Sequence, residues 1–266
     1  MGCFIPNANK TRATEEIKYQ LMDFIDLKKQ QELIRNNIDK SIANVLDSGQ
    51  YIMGKEISIL EESLSKFSGS SNCIGVASGT DALFLALLAL EIGPGDEIIT
   101  SPFTYFATAE SISLIGAKPV FVDIDRHTFN IDETKIEEKI GPNTRAIMPV
   151  SLFGQCSDMD FINDLANSYG LFVIEDAAQS LGATYKDRYS GSLATIACTS
   201  FFPSKPLGCY GDGGACFTND EVLAEKMRMI VDHGQSARYQ HALIGINGRL
   251  DTLQAAVLLQ KLKHLQ

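Results

Sequence analysis

One lysine of this chain sits in an unusual frame. Lys205 lies in "SFFPSKPLGCYGDGGA" (residues 200–215), between two prolines, behind two phenylalanines and ahead of four glycines. A lysine in an apolar, partly desolvated pocket has a lowered pKa, and its neutral amine can then attack a carbonyl. Pro203 and Pro206 stiffen the segment, while the glycines at 208, 211, 213 and 214 permit tight turns and close backbone approach. A surface-loop lysine between two strands fits the same letters, so this stretch alone leaves both readings open. The second candidate is Asp176, at the end of the almost wholly apolar run "LFVIED". A carboxylate there is costly unless it meets an arginine, a helix terminus or the protonated ring nitrogen of a bound cofactor. The third is Ser78-Gly79-Thr80-Asp81, directly after "CIGVA". Small residues and free helical N–H groups suit a phosphate, although an ordinary cap by Ser78 or Thr80 explains them as well.

These groups need a frame that brings them together. Short apolar runs at 73–77, 97–100, 119–124, 145–151, 171–177, 194–201 and 214–218 read as buried strands. Helical candidates lie between many of them, at 81–89, 104–115, 132–140, 158–169 and 220–232. Earlier, Ile34, Ile38, Ile42 and Val45, then Ile57, Leu60 and Leu64, recur at helical spacing. Near the end, Leu250, Leu253, Val257 and Leu258 share one side of a helix. The alternation predicts an α/β fold with a mostly parallel sheet covered by helices on both faces. In such sheets ligands bind beyond the carboxyl ends of the strands, which is where all three candidates fall. Strand alternation also sends Glu175 and Asp176 to opposite faces, so only one of them reaches a ligand. Residues 1–21 are expected to be a disordered extension, 22–249 a large ligand-binding domain with an N-terminal helical segment, and 250–266 the start of a helix leading elsewhere.

Composition removes several function classes. The 266-residue chain carries a net charge of −10 and no block of Lys or Arg, which argues against nucleic acid or an anionic membrane as partner. No apolar run is long enough for a membrane helix, and there is no signal-peptide core. The six cysteines form no CxxC pair and no metal-ligand spacing, the pattern of reduced thiols in a cytoplasmic protein. Neither GxxxxGK[ST] nor a GxGxxG after a strand is present, which sets nucleotide-loop and hydride-transfer readings aside.

Taken together, a phosphate site at Gly79, Thr80 and Ser200, a carboxylate for a ring nitrogen and a lysine for an aldehyde fit one cofactor, pyridoxal 5'-phosphate. With "ASGTDAL", "PFTYFATAE", "EDAAQS", "SFFPSKPLGCYGDGGA" and "GINGRLDTLQAA", the chain resembles the DegT/DnrJ/EryC1/StrS family of sugar aminotransferases from about residue 24 onward. The last two motifs look most like the branch acting on UDP-linked 3-keto sugar uronates. The resemblance implies the aspartate aminotransferase fold, with the family's small C-terminal domain absent from this chain. It implies that Lys205 bonds the cofactor's aldehyde and then shuttles the proton. Asp176 would pair with the ring nitrogen, Gln179 would hydrogen-bond the ring hydroxyl, and Tyr105 would stack on the ring. Gly79, Thr80 and Ser200 would hold the phosphate, with Asn247 reaching the phosphate in the partner subunit of a homodimer. His233 and Arg249 occupy positions that could meet the sugar uronate, while an ion pair of Arg249 with Asp251 or another helix acid is equally open. The implied reaction is transamination from glutamate to a nucleotide-linked keto sugar in cell-surface polysaccharide precursor synthesis. The alternatives are a dTDP-linked keto sugar as acceptor, or a truncated, inactive remnant that binds the cofactor.

Overall fold

The computed structural model describes residues 25–265, so the expected extension at 1–21 lies outside the described residues. Two helices come first, α1 (Leu27–Ser48) and α2 (Lys55–Ser68). Asp26 caps α1 by accepting the Lys29 N–H at 2.9 Å, and Gly49, at φ 66°, ends it in the left-handed turn that glycine tolerates best. Then follow β1 (Asn72–Val76), α3 (Gly79–Ala89), β2 (Glu97–Thr100), α4 (Ala107–Leu114), β3 (Lys118–Phe121), β4 (Thr144–Met148), α5 (Met159–Tyr169) and β5 (Phe172–Asp176). A small hairpin, β6 (Thr184–Tyr185) and β7 (Arg188–Tyr189), leads to β8 (Ile196–Ser200), β9 (Gly214–Thr218) and α6 (Glu221–Val231). A second hairpin, β10 (Gln235–Ala237) and β11 (Gln240–His241), precedes α7 (Thr252–Leu262).

Seven strands form one sheet in the order β1-β9-β8-β5-β4-β2-β3. From β8 to β3 the pairing is parallel, and β9 runs antiparallel to both of its neighbours. The expected mostly parallel α/β sheet is therefore observed. Its strands are apolar on both faces because both faces are covered. Ile74, Val76, Ile98, Met148, Ile174 and Cys198 pack under α3, α4 and α6. Cys73, Ala197, Ala215 and Phe217 face α2 and α7, and Ile99, Ile147 and Val173 face α5. Helix α3 is buried on most of its circumference, between the sheet and its two neighbour helices, which explains its run of Leu and Ala. Helix α7 packs on α1 and α2, with Val257 against Ile34 and Ile38.

One expected helix is corrected. Residues 132–140 form two single 3₁₀ turns, Glu133–Lys135 and Glu137–Lys139, bonded three residues back throughout. Only Ile136 in this stretch is fully buried, too little apolar surface to hold an α-helix against its six charged side chains. Among the described residues, no helix is long and apolar enough to cross a membrane.

Candidate functional site

The carboxyl ends of β1, β5 and β8 converge on a cavity of about 440 Å³. Lys205, Asp176, Gly79, Thr80, Tyr105, Gln179 and Ser200 all line it. The sequence separates these residues by up to 126 positions, and the sheet order alone brings them together.

At the end of β1, Ser78 caps α3: its hydroxyl accepts the Asp81 N–H at 3.0 Å and donates to the Asp81 carboxylate at 2.8 Å. The first helical bond runs from the Ala82 N–H to the Ser78 carbonyl, so the N–H groups of Gly79 and Thr80 precede it without helical acceptors. The Ser78 cap therefore leaves Gly79 and Thr80, the residues expected to hold a phosphate, unused in the same turn. Gly79 is required there: a Cβ at this position would sit 2.6 Å from the Ser200 Cβ and 2.9 Å from its hydroxyl. The backbone at the start of α3 thus lies directly against Ser200, whose hydroxyl accepts the Phe202 N–H at 3.2 Å.

Lys205 is carried on a strapped loop. The Phe201 N–H donates to the Gly213 carbonyl at 2.7 Å, the Cys209 N–H to Phe201 at 2.8 Å, and the Lys205 N–H to Phe202 at 2.8 Å. Phe201 is fully buried and anchors the loop in the layer beneath. A Cβ on Gly208 would come within 2.3 Å of the Pro203 carbonyl oxygen, so the tight return past Pro203 needs a glycine there. Burial lowers the Lys205 pKa, and the Asp176 carboxylate partly opposes it.

Asp176 is buried at the end of β5, where its carboxylate accepts the Thr108 hydroxyl at 2.8 Å and the Ala178 N–H at 3.2 Å. Burial raises its pKa, against the pull of these two hydrogen bonds and of Lys205. The expected partners were an arginine, a helix terminus or a ring nitrogen; the structure supplies a threonine and a backbone amide instead. Thr108 was not singled out by sequence, although it lies one helical turn after Tyr105, on the same side of the chain as it enters α4. Gln179 is oriented by the Phe153 N–H, which donates to its Oε1 at 2.9 Å and leaves its amide hydrogens for the cavity. Tyr105 stands at the cavity mouth, 75% exposed.

His233, Asn247 and Arg249 are grouped together but do not line this cavity. Arg249 donates to the Asp232 carboxylate, and to the Asn247 side-chain oxygen at 2.8 Å. Its ion-pair partner is thus Asp232, just past α6, rather than Asp251. His233 is exposed, adopts a left-handed backbone (φ 59°), and its carbonyl lies 2.9 Å from His241 Nδ1. The cluster flanks β1, through the Ala77 N–H donating to the Gly248 carbonyl at 2.7 Å. Lys205 is the only cationic side chain among the described residues lining the cavity.

Residues 32–266 match the DegT/DnrJ/EryC1/StrS aminotransferase family. The UDP-2-acetamido-2-deoxy-3-oxo-D-glucuronate aminotransferase of Pseudomonas aeruginosa is 59% identical over 91% of this chain and 68% of its own length. The dTDP-3-amino-3,4,6-trideoxy-alpha-D-glucose transaminase of Streptomyces venezuelae is 45% identical over 91% of this chain and 64% of its own length. Among solved structures, S. venezuelae DesV in complex with a ketimine intermediate superposes with a TM-score of 0.90 at 45% identity, covering 91% of this chain and 66% of that one. NtdA from Bacillus subtilis, with bound cofactor PMP, superposes at a TM-score of 0.87 and 37% identity, over 92% of this chain and 56% of that one. The chain therefore spans about two thirds of the length of the curated relatives it matches.

Proposed function

The chain belongs to the DegT/DnrJ/EryC1/StrS aminotransferase family, and we propose that it uses pyridoxal 5'-phosphate to move an amino group from glutamate to a UDP-linked 3-keto sugar uronate. The observation that carries this reading is the meeting of a desolvated lysine, a buried carboxylate and a phosphate-sized backbone cradle in one cavity. The residues fit the cofactor. Gly79 leaves the space a Cβ would fill beside Ser200, Asp176 presents a buried carboxylate with no cation bonded to it among the described residues, and Lys205 lines the same cavity with its charged form disfavoured by burial. Gly79, Thr80 and Ser200 would hold the phosphate, Gln179 the ring hydroxyl and Tyr105 the ring face.

When bound, pyridoxal phosphate supplies an aldehyde that bonds amines and a ring that takes up the electrons left when a Cα–H bond breaks. Asp176 would face the ring nitrogen and favour its protonated form, its own ionised form being supported by the Thr108 hydroxyl and the Ala178 N–H. Lys205 Nζ would take the proton from the donor's Cα as general base and deliver it as general acid to the carbon that began as the cofactor's aldehyde. Burial favours its neutral form, the form able to accept that proton.

A uronate and a diphosphate need cations beyond Lys205, the only one lining this cavity among the described residues. We therefore read the molecule as a homodimer in which Asn247, His233 and Arg249 of one copy complete the site of the other. Their grouping at the same sheet edge, outside their own cavity, supports this. The higher identity to the P. aeruginosa enzyme favours the UDP-sugar uronate over the dTDP-linked keto sugar. The test is to add pyridoxal phosphate to purified protein and record the visible band of the lysine-bound cofactor. The band should form in the wild type and be lost in Lys205→Ala; a band unchanged by that substitution would sink the assignment.

A further inference from the structure

Glu175, one residue before Asp176 on β5, is fully buried and takes no part in the chemistry above. Its side chain lies on the opposite face of the sheet, toward α5, and no basic side chain among the described residues acts on it. Three donors meet its carboxylate: the Ser151 hydroxyl at 2.9 Å, the Ser190 hydroxyl at 2.8 Å and the Gly191 N–H at 3.0 Å. Ser190 has a single hydroxyl hydrogen, so with that hydrogen on Glu175 it must accept from Ser180 across their 2.7 Å contact. Ser151, Ser180 and Ser190 are all buried. A carboxylate this deep is expensive and, once fully bonded, rigid.

The two arms of this network end on either side of Gln179. Ser151 donates its backbone N–H to the Asp176 carbonyl at 3.0 Å and opens the turn whose Phe153 N–H holds Gln179 Oε1. Ser180 follows Gln179 directly. Phe153 itself sits at φ 54°, a left-handed conformation that a bulky residue adopts only when its surroundings impose it. Something must hold that turn, and the Ser151 bond to Glu175 lies two residues upstream.

We propose that Glu175 is a positioning residue for the cofactor site, fixing the two turns that orient the Gln179 carboxamide through Ser151 on one side and the Ser190–Ser180 relay on the other. The assignment rests on the cofactor reading of the cavity. Removing the charge leaves buried donors competing for one acceptor, and the loss should reach Gln179 without any change of a cavity-lining side chain.

The experiment compares wild type, Glu175→Gln, Ser190→Ala and Ile162→Val, the last trimming the same buried layer without touching the network. Two quantities are read: exchange of the Phe153 amide hydrogen in the cofactor-free protein, and the dissociation constant for pyridoxal phosphate. Glu175→Gln should speed Phe153 exchange and weaken pyridoxal phosphate by about tenfold each. Ser190→Ala should shift both in the same direction by less, and Ile162→Val should move neither. Ser190→Ala carries the test if Glu175→Gln does not fold. Unchanged exchange and affinity in the network variants, or equal shifts in Ile162→Val, would overturn the positioning role alone. Failure of wild-type protein to bind pyridoxal phosphate would overturn the cofactor reading and this role with it.

Discussion

Asp176 and Lys205 are pushed in opposite directions by one cause: burial raises the pKa of the carboxyl and lowers that of the ammonium. Each charge therefore costs the cofactor-free protein some stability, which a ligand carrying a cationic ring and an aldehyde would relieve. For Asp176 the sign is definite. A folded pKa above the unfolded value means that ionisation opposes folding; the cost is complete above the folded pKa and vanishes below the ordinary value of about 3.9. Asp176→Asn should therefore raise the melting temperature of the cofactor-free protein at neutral pH, and the gap from wild type should close as pH falls toward that value. The amide can keep the Ala178 N–H, and Thr108 can turn its hydroxyl toward Thr104, which lies 2.9 Å away. The same variant should bind pyridoxal phosphate more weakly. Equal melting temperatures across the pH range would contradict the burial argument. Lys205→Ala should slow the glutamate half-reaction at least about a hundredfold, the scale of a lost general base.

At the scale of elements, the junction of β1 with α3 serves two purposes that substitution can separate. Ser78→Ala removes only the cap and should cost about 1 kcal/mol of stability, read by denaturant unfolding, with little change in pyridoxal phosphate affinity. Gly79→Ala drives a methyl into Ser200 and should cost about 1–3 kcal/mol and the phosphate site together. If Ser78→Ala weakened the cofactor as much as Gly79→Ala, the cap would be part of the anion site after all. This junction also marks what could be read in advance. The letters Ser-Gly-Thr-Asp allowed a cap or a phosphate cradle, and only the approach of β8, brought alongside by the sheet order, shows why residue 79 must be glycine. The seven strands were legible as apolar runs because both sheet faces are covered. The stretch 132–140 was misread because its apolar positions suit a helix, while only Ile136 finds a core to enter. Thr108 escaped notice because a threonine inside a helix has no signature until its partner, Asp176, is placed beside it.

For the whole molecule, the proposed reading asks how a cavity with one lining cation among the described residues would take an anionic nucleotide sugar. Sequence motifs pointed to Arg249 and His233, and the structure places both outside their own cavity, with Arg249 held by Asp232 and Asn247. The motifs gave the residues but not their placement, because the pairing of Arg249 with Asp232 and Asn247 joins positions up to 17 apart and shows only once the chain after α6 is folded. If sites are shared, two inactive variants should complement each other: Lys205→Ala mixed with Asn247→Ala under subunit exchange should regain activity that neither has alone. No regain, with dimers present by sedimentation, would make each site self-contained.

The account stands most directly on the amino-group transfer from glutamate. Protein loaded with pyridoxal phosphate should lose the visible band of its lysine-bound cofactor when glutamate is added and release 2-oxoglutarate in equal amount. A band that forms but does not respond to glutamate, with no 2-oxoglutarate released, would leave a cofactor-binding protein and contradict the aminotransferase reading.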